Sequence, residues 1–196
     1  MQIGIMMRSV PMLAGAAPIG AVEPLRWTEM REMATLAEEI GVDTLSAPDH
    51  LLFRNGPPTV SLPEGETRGV WEVFTLLTAL AASTKRVTLL PFVACTSFRN
   101  PALLAKIADT LDEVSGGRLI LGLGAGWHEP EYRAYGYPFD RRVSRFDEAL
   151  QIIVPLLKPA IKSATLMAGT LGTVKAVPLG KSPVCAAICL VNSSSV

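Results

Sequence analysis

The chain contains two histidines, and histidine is the side chain best suited to transfer protons near neutral pH. His50 follows Asp49, and His128 precedes Glu129. An imidazole can act as a general acid or base, and a neighbouring carboxylate can hold its ring in place. His50 is therefore a candidate catalytic residue, and Asp49 is the candidate that orients it. The alternative is a solvated His50, with Asp49 capping the following turn.

Cys95 and Thr96 place a thiol beside a hydroxyl. No basic neighbour in the sequence would lower the pKa of the Cys95 thiol, so we expect a small buried residue beside a ligand rather than a nucleophile. The three cysteines, Cys95, Cys185 and Cys189, have no framework spacing, which is typical of a reducing compartment. The sequence therefore predicts a cytoplasmic protein and no metal site.

Three glycines at alternate positions, Gly122, Gly124 and Gly126, follow an apolar run. The dinucleotide fingerprint G-x-G-x-x-G needs its third glycine one position later, where this chain has Trp127. The fingerprint also needs a helix that begins directly after the glycines. Pro130 and the turn that follows it argue against such a helix. Alternate glycines leave one face of a strand bare. Either a flat ligand approaches the backbone there, or the glycines relieve crowding inside a barrel.

The elements that must hold these residues alternate between strand and helix. Four short apolar segments are the predicted strands: Gln2–Met7, Val42–Ala47, Val87–Val93 and Arg118–Leu123. A segment with apolar residues at helical spacing follows each one. The four helices are predicted to begin at Glu23-Pro24, near Trp71, at Asn100-Pro101 and at the capping box Ser144/Asp147. Gly41 is predicted to end the first helix and Gly116 the third.

Four successive βα units predict an α/β fold with a parallel sheet and right-handed crossovers. The sheet is either doubly wound or part of a (β/α)8 barrel. Both folds carry their chemistry at the C-terminal ends of the strands. His50, Cys95, Thr96 and residues 127–129 all fall at such ends, so we expect them to lie at one edge of the sheet.

The overall composition limits the class of partner. The formal net charge is zero and 49% of residues are hydrophobic, so no basic field would attract nucleic acid. No stretch of sequence has the uninterrupted apolar length of a membrane helix. A small-molecule partner is therefore expected, with neither nucleic acid nor membrane.

The character of the sequence changes after Lys158. Residues 159–196 contain no Asp or Glu and show no clear helical or strand period. We therefore expect two segments, residues 1–158 with the βα units and an unrelated tail of residues 159–196. The tail is either a C-terminal extension or the product of a frameshift. The frameshift is the preferred explanation, because four βα units alone leave an exposed apolar sheet edge.

Several motifs occur together in residues 1–158. They are APDHLLF after the second strand, then R-N-P-A-L-L-A-K, S-G-G-R and L-G-x-G-A-G-W. In this order and spacing they resemble the luciferase-like monooxygenase family of flavin-dependent and deazaflavin-dependent oxidoreductases. The resemblance implies a (β/α)8 TIM barrel, of which this chain contains roughly the first four βα units. It also implies FMN, or alternatively coenzyme F420, over the C-terminal face.

The resemblance also implies an activity and roles for residues of this chain. Reduced flavin would react with oxygen to oxidise a small organic substrate, or F420 would pass a hydride. His50 would lie at the ring or the substrate. Cys95 with Thr96 would line the isoalloxazine, and Gly124 and Gly126 would form the bare strand beneath it.

The resemblance further favours FMN over F420. The deazaflavin-dependent sugar-phosphate dehydrogenases carry other residues where this chain has Arg54 and Trp127. A flavin reductase is then the expected protein partner, and self-association the expected assembly. Family barrels have eight βα units, and much of the phosphate site comes from the second half. A chain with four units is expected to bind cofactor weakly or to be a non-catalytic fragment.

Overall fold

Short strands and longer helices alternate along the chain in a computed structural model. It describes residues 3–7, 25–54 and 65–157, and the backbone of 165–170, 173–178 and 188–190. The helices are α1 Trp27–Glu39, α2 Val73–Ser83, α3 Pro101–Ser115, α4 Glu129–Tyr135 and α5 Arg142–Leu157. The strands are β1 Gly4–Met6, β2 Thr44–Ala47, β3 Leu52–Arg54, β4 Thr67–Gly69, β5 Thr88–Pro91, β6 Ala94–Cys95, β7 Leu123–Gly124, β8 Thr165–Thr170, β9 Thr173–Pro178 and β10 Ile188–Leu190.

The main strands pair in parallel, as the βα alternation predicts. One sheet has the order β1-β2-β5, and a parallel bridge joins Leu89 of β5 to Leu119. A second sheet has the order β6-β7-β10-β8-β9, antiparallel only between β8 and β9. Strands β3 and β4 form an antiparallel hairpin. Parallel pairing brings the C-terminal ends of neighbouring strands to one edge, where the predicted site residues lie.

Helix α3 forms where its sequence signals place it. The Asn100 side chain accepts hydrogen bonds from two amides of the first turn, at 3.0 and 3.3 Å, and Pro101 occupies the first helical position. Gly116 ends the helix in the left-handed region, with φ at 68°. Leu104 and Leu111 are fully buried on its inner face. The predicted bounds of this helix are therefore confirmed.

Two other helix starts differ from the prediction. Helix α1 begins at Trp27, where the Glu29 carboxylate accepts the N–H of Arg26 at 2.7 Å; the predicted start at Glu23-Pro24 lies outside the described residues. Helix α5 begins at Arg142, so Ser144 lies inside its first turn and the predicted capping box there is wrong. Arg141, with φ at 48°, turns the chain just before this helix and so places its start earlier.

Helix α4 was not predicted, and it follows the glycine segment after only two intervening residues. Pro130 falls in its first turn, where a missing N–H costs no helical hydrogen bond. Glu129 and Glu131 in the same turn complement the helix dipole. Gly136 ends the helix with φ at 72°. The expectation that no helix follows the glycines at once is therefore wrong, because Pro130 starts a helix instead of preventing one.

The core lies between the parallel strands and the helices that cover them. Leu45 of β2 and Leu89 of β5 are partners in register and are fully buried. Met30 of α1, Leu77 of α2 and Leu104 of α3 belong to the same buried cluster. Burying each such side chain contributes about 1.5–3 kcal/mol, so these helices hold the strands, and hence the strand ends, in fixed positions.

Part of the sequence after residue 158 forms strands in the structure. The backbone of β10 pairs in parallel with β7, with Cys189 opposite Gly124, so these residues extend the sheet that carries the glycine segment. The predicted boundary at residue 158 stays a prediction, and so does the frameshift origin of the tail. Among the described helices, none combines the length and the apolar character needed to cross a membrane.

Candidate active site at the C-terminal strand ends

The ends of β2, β6 and β7 surround a small cavity of ≈ 180 Å³. His50 comes from the segment after β2, Cys95 from β6, and Gly126 from the segment after β7. The described residues that line the cavity are Asp49, His50, Phe92, Val93, Cys95, Gly126, Trp127 and Glu131. Three of the five predicted site residues therefore meet at one cavity.

The other two predicted site residues, Thr96 and Gly124, are not among the described residues lining this cavity. The Thr96 hydroxyl donates to the Gly124 carbonyl at 3.3 Å, and Thr96 is buried. This hydrogen bond links the end of β6 to β7. Their proposed contact with a cofactor stays a prediction.

His50 is held by a residue far away in the sequence. Its Nδ1 lies 2.9 Å from Oε1 of Glu131, and the second carboxylate oxygen of Glu131 accepts the N–H of Leu51 at 2.9 Å. Glu131 is fully buried on α4, at 1% exposure. The imidazole is thus anchored on one edge by a buried carboxylate.

Asp49 has a different role from the one predicted. Its buried carboxylate accepts two hydrogen bonds from the Arg99 guanidinium, at 2.6 and 3.0 Å, and one from the Cys95 N–H at 2.8 Å. Arg99 also pairs with Glu72, whose side chain caps α2, and it lies 4.8 Å from the Phe74 ring centroid. Burial raises the pKa of Asp49, and the Arg99 guanidinium opposes that shift. The hypothesis that Asp49 orients His50 is therefore wrong.

The Cys95 thiol is buried against a tyrosine. Its Sγ lies 3.0 Å from Tyr132 Oη, and that hydroxyl donates to the Ala125 carbonyl at 2.7 Å. Because the Tyr132 hydrogen is used in this way, the thiol is the donor to Tyr132. Burial raises the pKa of Cys95 to about 12. A thiol that stays protonated is a poor nucleophile, in agreement with a lining role.

Gly126 is required by the space around it. Its φ is +75°, and a Cβ there would lie 2.0 Å from Tyr132 Oη and 2.6 Å from Cys95 Sγ. At Gly122 a Cβ would lie 2.5 Å from the carbonyl oxygen of Pro91. At these two positions protein atoms occupy the space that a side chain would take, which supports the crowding explanation.

Four rings form a cluster beside the cavity. The His50 centroid lies 4.3 Å from Phe53, 5.3 Å from Trp127 and 6.2 Å from His128. His128 is buried, and the Arg54 N–H points to its Nε2 at 3.4 Å. Burial lowers the pKa of His128, and the Glu131 carboxylate only partly opposes that shift. His128 is thus a neutral packing residue, whereas Trp127 is 39% exposed at the rim of the cavity.

Sequence reasoning missed Glu131, Tyr132 and Arg99, all of which hold the site together. The first two lie on α4, the helix that was not predicted. The segment Glu129-Pro130-Glu131 carried the signal, since acidic residues around a proline are typical of a first helical turn. Recognising that turn would have placed Glu131 and Tyr132 together near the strand end.

The sequence profile of the family described as luciferase-like monooxygenase matches residues 1–176. The chain belongs to the luciferase-like monooxygenase family. Among the curated relatives of this luciferase-like chain, the 5,10-methylenetetrahydromethanopterin reductase of Archaeoglobus fulgidus is 31% identical over 132 residues. That match covers 67% of the chain and 34% of the relative. The pyrimidine monooxygenase RutA of Enterobacter cloacae is 41% identical over 88 residues, covering 44% of the chain and 24% of the relative.

Solved structures place the luciferase-like chain in the TIM-barrel class. It matches the oxygenating constituent of 3,6-diketocamphane monooxygenase from Pseudomonas putida, solved with FMN, at a TM-score of 0.60 and 18% identity. The match covers 91% of the chain and 44% of that structure. At this identity the similarity shows the fold alone. The luciferase-like chain is a partial (β/α)8 barrel, and it spans about a third or less of the length of the two curated relatives.

The cavity suits the ring of a flavin better than its phosphate. Trp127 provides a flat, half-exposed ring at the rim, and the Gly126 backbone forms part of the wall. Among the described residues that line the cavity, none is Lys or Arg. A phosphate therefore has no cationic partner in this part of the site. The described residues also contain no cluster of three or more His, Cys, Asp or Glu side chains that could hold a metal ion.

Proposed function

We propose that the cavity at the C-terminal strand ends binds the ring of reduced FMN and that the luciferase-like protein uses it, with oxygen, to oxidise a small organic substrate. The observation that carries this proposal is the meeting of His50, Gly126 and Trp127 at one cavity of a luciferase-like barrel. When bound, reduced FMN would supply two electrons to oxygen, so that one oxygen atom could be transferred to the substrate while the other leaves as water.

The residues of the chain would hold the ring and manage protons beside it. Trp127 would pack on one side of the ring, and the Gly126 backbone would form part of the wall beside it. His50 can accept or donate a proton at Nε2, because its Nδ1 is already bonded to Glu131. Cys95 would line the site as a neutral thiol, because its pKa is raised to about 12.

The phosphate would be held outside the described part of the site. The cavity wall contains carboxylates but, among the described residues, no cationic side chain. This wall is therefore expected to bind the flavin through contacts with its ring. Binding by these residues alone is expected to be weak. Supply of reduced flavin by a partner reductase, and association with a second copy, belong to the same proposal.

A second candidate function is hydride transfer with coenzyme F420. The reductase of Archaeoglobus fulgidus, 31% identical to this chain, favours it, since that relative is named as a reductase and not as a monooxygenase. The same ring-binding wall and the same His50 would serve either cofactor. The two functions differ in whether oxygen is consumed.

Anaerobic equilibrium dialysis separates these functions. The purified chain is dialysed against reduced FMN and, in parallel, against F420 at the same concentration. The FMN proposal predicts that reduced FMN is retained at least about tenfold more than F420, which corresponds to about 1.4 kcal/mol. Retention of F420 without retention of reduced FMN would overturn it in favour of hydride transfer.

A further inference from the structure

Glu131 and His50 come from distant parts of the chain, 81 positions apart, and meet beside the cavity. We propose that Glu131 is the positioning residue of His50, which it fixes as the Nδ1–H tautomer so that Nε2 presents a lone pair to a bound ligand. The part of this inference that concerns a ligand rests on the proposed function. The part that concerns the tautomer does not.

Both oxygens of the Glu131 carboxylate are used in the structure. One accepts the N–H of Leu51 at 2.9 Å, and the other lies 2.9 Å from His50 Nδ1. An ionised carboxylate has only acceptor sites, so the hydrogen in the second contact belongs to the imidazole. Glu131 is 1% exposed, so these oxygens are largely shielded from bulk water. The tautomer is thus set by a buried, two-point contact.

The orientation of the ring follows from the same contact. The two imidazole nitrogens point in nearly opposite directions, so a bond at Nδ1 directs Nε2 away from Glu131. Phe53 at 4.3 Å and Trp127 at 5.3 Å limit rotation of the ring. Among the described residues, none makes a hydrogen bond to His50 Nε2, and His50 lines the cavity. A ligand O–H or N–H in the cavity would therefore meet an acceptor already in place.

A tautomer measurement on the ligand-free chain tests the proposal. The chain is labelled with ¹⁵N, and long-range ¹⁵N–¹H correlations of the two histidines are recorded about two units above the ordinary imidazole pKa of about 6.5. A His128→Gln variant assigns the signals, because only two histidines are present. We expect the neutral His50 to be protonated at Nδ1 and bare at Nε2. An Nε2–H majority in the wild-type chain would overturn the proposal.

A matched pair of variants links the tautomer to Glu131. Glu131→Gln removes the charge at nearly constant size, and the Nδ1–H form of His50 is expected to lose its majority. Glu129 lies on the same helix, in an exposed pair with Arg133. Glu129→Gln should therefore leave the tautomer of His50 unchanged. An unchanged tautomer in Glu131→Gln would contradict the positioning role.

The wild-type measurement decides the matter even if Glu131→Gln does not fold, which circular dichroism would show. Failure of the chain to bind flavin would overturn the proposed function but not the tautomer.

Discussion

Gly126 is the residue at which the site tolerates the least change. Its backbone is in the left-handed region, and Tyr132 and Cys95 occupy the space of a side chain. Gly126→Ala is expected to cost the roughly 1–2 kcal/mol of a left-handed alanine, and about 1–3 kcal/mol more for overpacking. Urea unfolding followed by circular dichroism measures the loss.

Gly136→Ala is the matched control for this substitution. Its φ of +72° is nearly that of Gly126, but no atom lies within 4 Å of the added Cβ. It should therefore show the backbone cost alone, about 1–2 kcal/mol. Equal losses for Gly126→Ala and Gly136→Ala would contradict the crowded environment assigned to Gly126.

Individual site residues were predictable where the strand ends themselves supplied them. His50, Cys95 and Gly126 each follow or end a strand, and parallel strands bring their C-terminal ends together. The partner of His50 was not predictable in this way. Asp49 is adjacent to His50 in sequence, yet its carboxylate pairs with Arg99, which follows the end of a neighbouring strand. The residue that holds His50 is Glu131, which lies 81 positions further along the chain.

At the scale of elements, Arg99 ties three of them together. It joins Asp49 after β2 to Glu72 at the start of α2, from its own position after β6. Arg99→Met would leave the buried Asp49 carboxylate without its cation, at a cost of about 3–5 kcal/mol. The free energy of unfolding in urea is the measurement.

Lys106→Met is the control for the loss of a cation. Lys106 pairs with Asp109 on the surface of α3, and 73% of its side chain is exposed. Lys106→Met should therefore lower the free energy of unfolding by only about 0–1 kcal/mol. Adding Asp49→Asn to Arg99→Met should recover part of the loss, because the unpaired charge is removed. If Arg99→Met costs no more than Lys106→Met, the three-element link contributes little.

Helices α3 and α4 differ in how clearly the sequence indicates them. Helix α3 has a capping asparagine, a proline at its first position, a long apolar stripe and a terminal glycine, so several local signals agree. Helix α4 has seven residues and too few turns for an apolar period, so only Pro130 and its acidic neighbours indicate it. The site depends on the helix with the weaker signal, because Glu131 and Tyr132 lie there.

For the whole molecule, the repeated βα pattern was sufficient to predict an α/β fold with a parallel sheet, whereas the choice of a barrel over a doubly wound sheet came from the family resemblance. Buried strands pair in parallel with a covering helix after each, and this pattern recurs regardless of which side chains fill the core. The sequence after residue 158 carried no comparable period, and β10 nevertheless joins β7 through backbone hydrogen bonds. Such pairing uses backbone N–H and C=O groups, which every residue except proline provides, so it can form where the side chains show no clear period.

The cavity beside Trp127 is proposed to bind a flavin ring. Trp71 offers a matched control, because it is 40% exposed where Trp127 is 39%, and it lies away from the described cavity lining. Equilibrium dialysis of riboflavin and FMN against wild-type chain, Trp127→Ala and Trp71→Ala tests the claim most directly. We predict that the wild-type chain retains riboflavin and FMN to a similar extent. Trp127→Ala should reduce the affinity roughly tenfold, because ring stacking is worth about 1–3 kcal/mol. Trp71→Ala should not reduce it. Unchanged binding in Trp127→Ala, or an equal loss in Trp71→Ala, would show that the flavin ring does not bind beside Trp127.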